Sequence, residues 1–280
     1  ELKQFDLANS DFDIVDSHQN ILTLLKGNSA DKSGILAAVD DIEINADVII
    51  NLTVSDANVL DNHNVTHSSD GYSISDGGAA VQGEIVDDTD IGVLADAVSI
   101  TVTDSFGLGI SVAEYGALTT GTALNATHSI TDNRDAIQTA VDNGNAALTS
   151  ANTNSITVSN EGLVQLNASE FTSIGSKFAA SDIEVRDDLA GLKGISSPGI
   201  PADALVTLEA GQSQDLTTDA FFIANVDQID LNGSSNVTVD AAQVLKLQTV
   251  TTSETYNVKD AGVALIQLFE DDNGGLLSAA

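Results

Sequence analysis

Apolar and polar positions follow one pattern along this chain, and the pattern occurs five times. Aligned on an aspartate, the copies begin at Phe12, Tyr72, His128, Ile183 and Tyr256. Two residues on stands a β-branched side chain: Ile14, Ile74, Ile130, Val185 or Val258. Four on comes the aspartate, Asp16, Asp76, Asp132, Asp187 or Asp260. Five beyond that comes an aliphatic, Ile21, Val81, Ile137, Leu192 or Leu265. Internal repetition at ungapped positions constrains architecture before anything else does. The alternating run suits a half-buried strand. The aspartate closing it reads as a helix N-cap, because a carboxylate there accepts from the orphan amides of the next turn. Helical spacing then follows, as in Ile137, Ala140 and Val141, or Leu265, Leu268 and Phe269. The predicted unit is strand, aspartate cap, short helix.

A second half-unit follows in most copies. Ile100-x-Val102-x-Asp104 matches Ile156-x-Val158-x-Asn160, Leu52-x-Val54-x-Asp56 and, more loosely, Ile229-x-Leu231-x-Gly233. Downstream lie triplets spaced three and three: Val112, Tyr115, Leu118; Ala168, Phe171, Ile174; Ala241, Val244, Leu247. These predict a second strand, a turn and a second short helix. The full repeat is roughly 55 to 75 residues, longer than most solenoid repeats. The expected fold is an elongated, solenoid-like α/β array; a mainly β solenoid or tandem β-rich domains are the alternatives. Its divisions are a lead-in (1–11), repeats at 12–71, 72–127, 128–182 and 183–255, and a partial repeat at 256–280. Within the first, a helical middle is expected at Ile35–Val39, strands around 42–44 and 48–54, and a loop at 61–71. The fourth carries both prolines, Pro198 and Pro201, in a turn at 196–201, with extra strands expected at Ala204–Leu208 and Ala220–Leu231.

Composition narrows what such an array can be. Hydrophobic residues make up 42% of the chain but aromatics only 4%, so the core is layers of small aliphatics, stabilised by repeat stacking on repeat. The periodic β-branched positions argue against a disordered chain. Nine basic residues face 42 acidic ones, for a net charge of −33. That excludes nucleic acid, whose phosphates need a basic footprint, and disfavours anionic membrane surfaces. Two compatible readings of the acidity remain: a self-repelling, soluble surface, and divalent cation binding by Asp-rich turns. There is no cysteine, so disulfide staples and thiolate catalysis are both ruled out. No apolar run is long enough to span a bilayer. The lack of methionine, and an end inside the fifth copy, lead us to expect an excerpt of a longer protein.

Candidate chemistry is sparse. His63 and His67 have a metal-compatible spacing but sit in a polar stretch that is not helical in pattern. His18 and His128 occupy repeat positions held elsewhere by other residue types. Nothing resembles a nucleophile elbow or a phosphate-cradling glycine loop. Among the acidic clusters, Asp87, Asp88 and Asp90 are the best candidates for structural calcium, the one cofactor expected, although such a site needs about six converging oxygens. The glycine/aspartate nonapeptide of calcium-binding β-rolls and the EF-hand loop are both absent. Asn-x-Ser/Thr sequons stand at Asn51, Asn64, Asn125, Asn167, Asn232 and Asn236, close to chance in a chain this rich in those residues.

The pattern aromatic-x-Ile/Val-x-Asp-x4-aliphatic, alternating with Ile100-Thr-Val-Thr-Asp104, resembles repeats of very large bacterial secreted surface proteins, including type I-secreted adhesin-like and S-layer-like proteins. The resemblance implies a cysteine-free, acidic, calcium-dependent structural or adhesive spacer with no catalytic residues. The expected function is therefore a non-enzymatic extracellular or cell-surface structural protein, contributing to a surface layer, sheath or filament. Its expected partners are further copies of itself, docking by strand edges. The alternative is an adhesin or carbohydrate-binding or -cleaving solenoid with surface glycans as partners. Against it, Tyr72 and Tyr256 occupy the same repeat position, which favours packing. Ice binding would need a threonine register that the chain does not keep.

Overall fold

Each of the five aligned starts is the first residue of a strand in the computed structural model. The structure describes residues 12–25, 39–44, 49–61, 65–67, 71–87, 91–119, 122–195, 199–210, 214–231, 237–247 and 256–260. In chain order the first elements are β1 (Phe12–Asp16), α1 (His18–Leu25), β2 (Val39–Ile44), β3 (Ile50–Leu52), α2 (Val54–Asp61), β4 (Val65–His67), β5 (Tyr72–Asp76) and α3 (Gly78–Asp87). Next come β6 (Ala97–Val102), β7 (Leu108–Ile110), α4 (Val112–Thr119), β8 (Ala123–Asn125), β9 (His128–Asp132), α5 (Arg134–Asp142), α6 (Ala146–Thr149) and β10 (Thr153–Val158). The rest are β11 (Val164–Leu166), α7 (Ala168–Ile174), β12 (Ile183–Asp187), α8 (Leu189–Gly194), β13 (Leu205–Glu209) and β14 (Gln214–Asp215), then α9 (Ala220–Asn225), β15 (Gln228–Asp230), β16 (Val237–Val239), α10 (Ala241–Val244) and β17 (Tyr256–Val258).

Two compact units divide the chain. One holds residues Glu1–Thr131 with Ser150–Asn154; the other holds Asp132–Thr149 with Ser155–Ala280. The first contains sheets β1-β2-β4 and β3-β5-β6-β8 and the ladder of β7 with β9. The second contains sheets β11-β12-β13-β15 and β14-β16-β17. Every one of these ladders is parallel. Parallel neighbours need a crossover, and the short helices supply it.

The expected elongated, solenoid-like array is overturned, and so are its mainly β alternatives. The fold is mixed α/β, with several small separate parallel sheets and true helices between their strands. The reason lies in how pairing skips. β6 pairs with β8 and leaves the intervening β7 to start another ladder; β13 likewise pairs with β15 past β14. Each skipped strand ends one sheet's monopoly of the chain and opens a second. Smaller expectations also shift. Val54 opens a helix where a strand was expected, β4 lies within the expected loop, and Ala220–Asn225 is helical. The Ile35–Val39 helix falls almost wholly outside the described residues.

Small aliphatics build the cores, as their stock in the composition requires. In the first unit Leu52, Ile74, Ile100 and Leu124 stand in register across β3, β5, β6 and β8, all buried. In the second, Val185 pairs with Leu166 and Val206, and Leu208 with Ile229, again all buried. The repeat's aliphatic positions Ile21, Val81, Ile137 and Leu192 are each buried on the following helix. Tyr72, also buried, donates its hydroxyl to Val93 O at 2.5 Å, which explains an aromatic at the head of a strand.

His128 holds the same position with a different solution. It is 2% exposed, and both ring nitrogens have partners: Nδ1 lies 3.0 Å from Ala126 O and Nε2 2.8 Å from Thr153 Oγ1. A carbonyl can only accept, so Nδ1 carries a proton, and in the neutral ring Nε2 accepts from the Thr153 hydroxyl. Tyr115 packs against the ring at 5.3 Å between centroids. The histidine is thus a packing residue. Thr153→Val is expected to cost about 1 kcal/mol of unfolding free energy, since it removes one buried donor at nearly constant volume; urea unfolding monitored by circular dichroism measures it.

Candidate functional site

The repeated aspartates are where the sequence points, and their geometry differs from the expected N-cap. After Asp132 and Asp187 the helix that follows is capped by the next residue instead. Asn133 Oδ1 accepts from Ala136 N at 3.0 Å, and Asp188 Oδ1 accepts from Gly191 N at 2.7 Å. The signature aspartate sits one step earlier and reaches elsewhere. Asp76 Oδ1 accepts from Gly77 N at 2.7 Å, while Oδ2 accepts from Val54 N, the first amide of α2, at 3.0 Å. Asp187 repeats this with Asp188 N at 2.7 Å and with Ala168 N, the first amide of α7, at 3.0 Å. Asp260 Oδ2 accepts from Ala241 N, the first amide of α10, at 3.1 Å.

The second half-unit carries the same device. Asp104 Oδ1 accepts from Phe106 N at 3.0 Å and from Gly78 N, the first amide of α3, at 3.1 Å. Asn160 Oδ1 accepts from Arg134 N, the first amide of α5, at 2.6 Å. A helix leaves its first four amides without internal partners, and a local N-cap side chain serves only the second or third. Here the first amide is met by an acceptor 19 to 26 residues later, at the end of a following strand or two residues past it. The negative charge also suits the positive end of the helix dipole. Within each compact unit, one half-repeat is thereby tied to the next through a hydrogen bond that neither makes alone.

Asp16 and Asp132 likewise bind the backbone amide that follows them. Exposed Asp16 accepts from Asn20 Nδ2 at 2.8 Å and Ser17 N at 2.6 Å, and these two bonds hold its carboxyl below the usual range. Asp132 Oδ1 accepts from Asn133 N at 2.8 Å and from Asn133 Nδ2 at 3.0 Å.

The hydrogen bonds to these aspartates come from backbone and asparagine amides, and the aspartates stand at separate strand ends, whereas a calcium site gathers about six oxygens at one point. Among the described residues there is no group of three or more His, Cys, Asp or Glu side chains placed to hold a metal ion. Of the candidate trio, Asp87 is the last residue of α3, and Asp88 and Asp90 lie outside the described residues. His63 also lies outside them, and His67 ends β4.

No family model matches this chain, and neither does any curated protein or solved structure.

Sequence reasoning passed over one cluster. On β12 the Arg186 guanidinium spans three strands: Nε donates to Glu209 Oε1 at 2.6 Å on β13, Nη2 to Asp230 on β15, and Nη1 lies 3.5 Å from Glu184 Oε1. Glu184 Oε2 accepts in turn from Gln165 Nε2 at 3.0 Å. Register places Thr207 between Arg186 and Gln228, and Thr207 is fully buried. The arginine is therefore a strap laid across one polar sheet face, with three carboxylates around a single cation. The alternation Glu184-x-Arg186 on one face of a strand was the available signal. The described apolar pocket between α5, α6 and α7, lined by Val141, Leu148 and Ile174, holds about 60 Å³. Small-molecule sites run to roughly 300–1,000 Å³, so this one is smaller than a usual ligand site.

Proposed function

We propose that this protein is a non-enzymatic extracellular structural protein whose units contribute to a surface layer or filament by self-association. The observation that carries the reading is the recurrence of one interlock, a helix's first amide bound by an Asp or Asn of a later strand end, at five places. Three signature aspartates, with Asp104 and Asn160, are thereby committed to holding half-repeat to half-repeat, which is what a scaffold requires of them. The charge of −33 suits a surface exposed to salt and solvent. No helix among the described residues is long and apolar enough to cross a membrane. A calcium requirement is the part of the proposal that rests on residues other than the signature aspartates.

Electron microscopy of the purified protein, with calcium and then with a chelator, tests this. Ordered sheets or filaments are the expected result. Their dissolution on chelation ties assembly to calcium; their persistence keeps the structural role without it. Dispersed particles under both conditions overturn self-assembly and turn the search to glycans.

A further inference from the structure

Two strand edges in this chain are closed by side chains instead of by strands. β7 is an outer strand that pairs with β9. On the side away from β9, Gly109 N donates to Gln82 Oε1 of α3 at 2.8 Å, and Gln82 Nε2 donates to Gly109 O at 3.0 Å. β11 is the outer strand of its own sheet, beyond β12. There Gln165 N donates to Gln138 Oε1 of α5 at 2.8 Å, and Gln138 Nε2 donates to Gln165 O at 3.1 Å. The glutamine stands fifth in its helix in both cases, 27 residues before its target, and the target is the middle residue of a three-residue strand.

A primary amide offers the same donor–acceptor pair as a peptide group. Each glutamine thus occupies the place that a neighbouring backbone would take. The positions bonded, Gly109 and Gln165, are exposed, so without the glutamine these edges would face solvent with unpaired groups. An open edge is a template for pairing, and the partner always present is another copy carrying the same two edges. We infer that Gln82 and Gln138 are edge locks that keep β7 and β11 from pairing with a second copy of this chain. The inference holds whether or not copies assemble through another surface, because its readout is a change from the wild-type state.

Hydrogen exchange on the intact wild-type protein is the first test. The amides of Gly109 and Gln165 are expected to be protected like sheet-interior amides; exchange at open-edge rates overturns the locks. Next, Gln82→Ala and Gln138→Ala are compared with Thr139→Ala, which removes only a hydroxyl bond within α5. Loss of the two-point bond is expected to speed exchange at the matching edge amide at least ~10-fold, and light scattering should show more association than wild type. The Thr139 variant should show neither. Folded glutamine variants with wild-type association overturn the inference. If a variant fails to fold, the wild-type exchange rates and the other single variant decide it.

Discussion

Replacing Arg186 with methionine is expected to lower the unfolding free energy by about 3 kcal/mol. Removing one partner of a buried ion pair costs about 3–5 kcal/mol, because the charge left behind has lost its compensation. Here the lower end applies. Arg186 is 22% exposed and Glu209 36%, so water screens part of the interaction. Three carboxylates are nevertheless left facing one another on one sheet face, over the buried Thr207. Lysine should recover about half of the loss, since its compact ammonium lacks the wide planar fork that reaches carboxylates on three strands at once. Urea midpoints at constant m-value measure both. Adding Glu209→Gln and Asp230→Asn to the methionine variant should restore part of the stability, as coupled sites predict. A loss of about 1 kcal/mol or less would mean that the row is an ordinary solvated ion pair.

The same row shows what the sequence could and could not convey. Strand starts were readable at all five aligned positions because a β-branched residue two places on marks a buried face: Ile74, Ile130 and Val185 are fully buried. The helical aliphatics Val81, Ile137 and Leu192 were readable for the same reason. β7, β11 and β16 were not, since three residues offer too little alternation to separate from a turn. The run Phe221-Phe222-Ile223 has strand propensity, yet Asp219 accepts from Phe222 N at 3.1 Å and starts a helix there. A local cap outweighed strand propensity.

The larger misreadings concern partners remote in sequence. Repetition implies that units stack, but which strands pair is decided by skips such as β6 to β8, and no local window shows a skip. An aspartate after a strand looks like a cap for the next helix because that is the nearest acceptor. Its actual partner lies 22 residues back for Asp76 and 19 for Asp187. Arg186 was equally hidden, since its partners come from strands 23 and 44 residues away.

Cutting one interlock should therefore loosen a helix that does not follow the mutated residue. Asp187→Ala is expected to cost about 2 kcal/mol, because two amide-to-carboxylate bonds are lost and water can replace them only in part. The carboxylate is closely held: a Cβ on Gly191 would fall 2.5 Å from Asp187 Cγ, so little space remains for a substitute partner. Asparagine should cost about half as much, since one oxygen suffices for a first amide, as Asn160 does for Arg134. Hydrogen exchange then separates the interlock from a local cap. Asp187→Ala should free the amide of Ala168 and fray α7, whereas Asp188→Ala, which removes only the bond to Gly191 N, should fray α8. If Asp187→Ala instead frays α8 and spares α7, the aspartate is a local cap after all and the link between half-repeats is not what stabilises them.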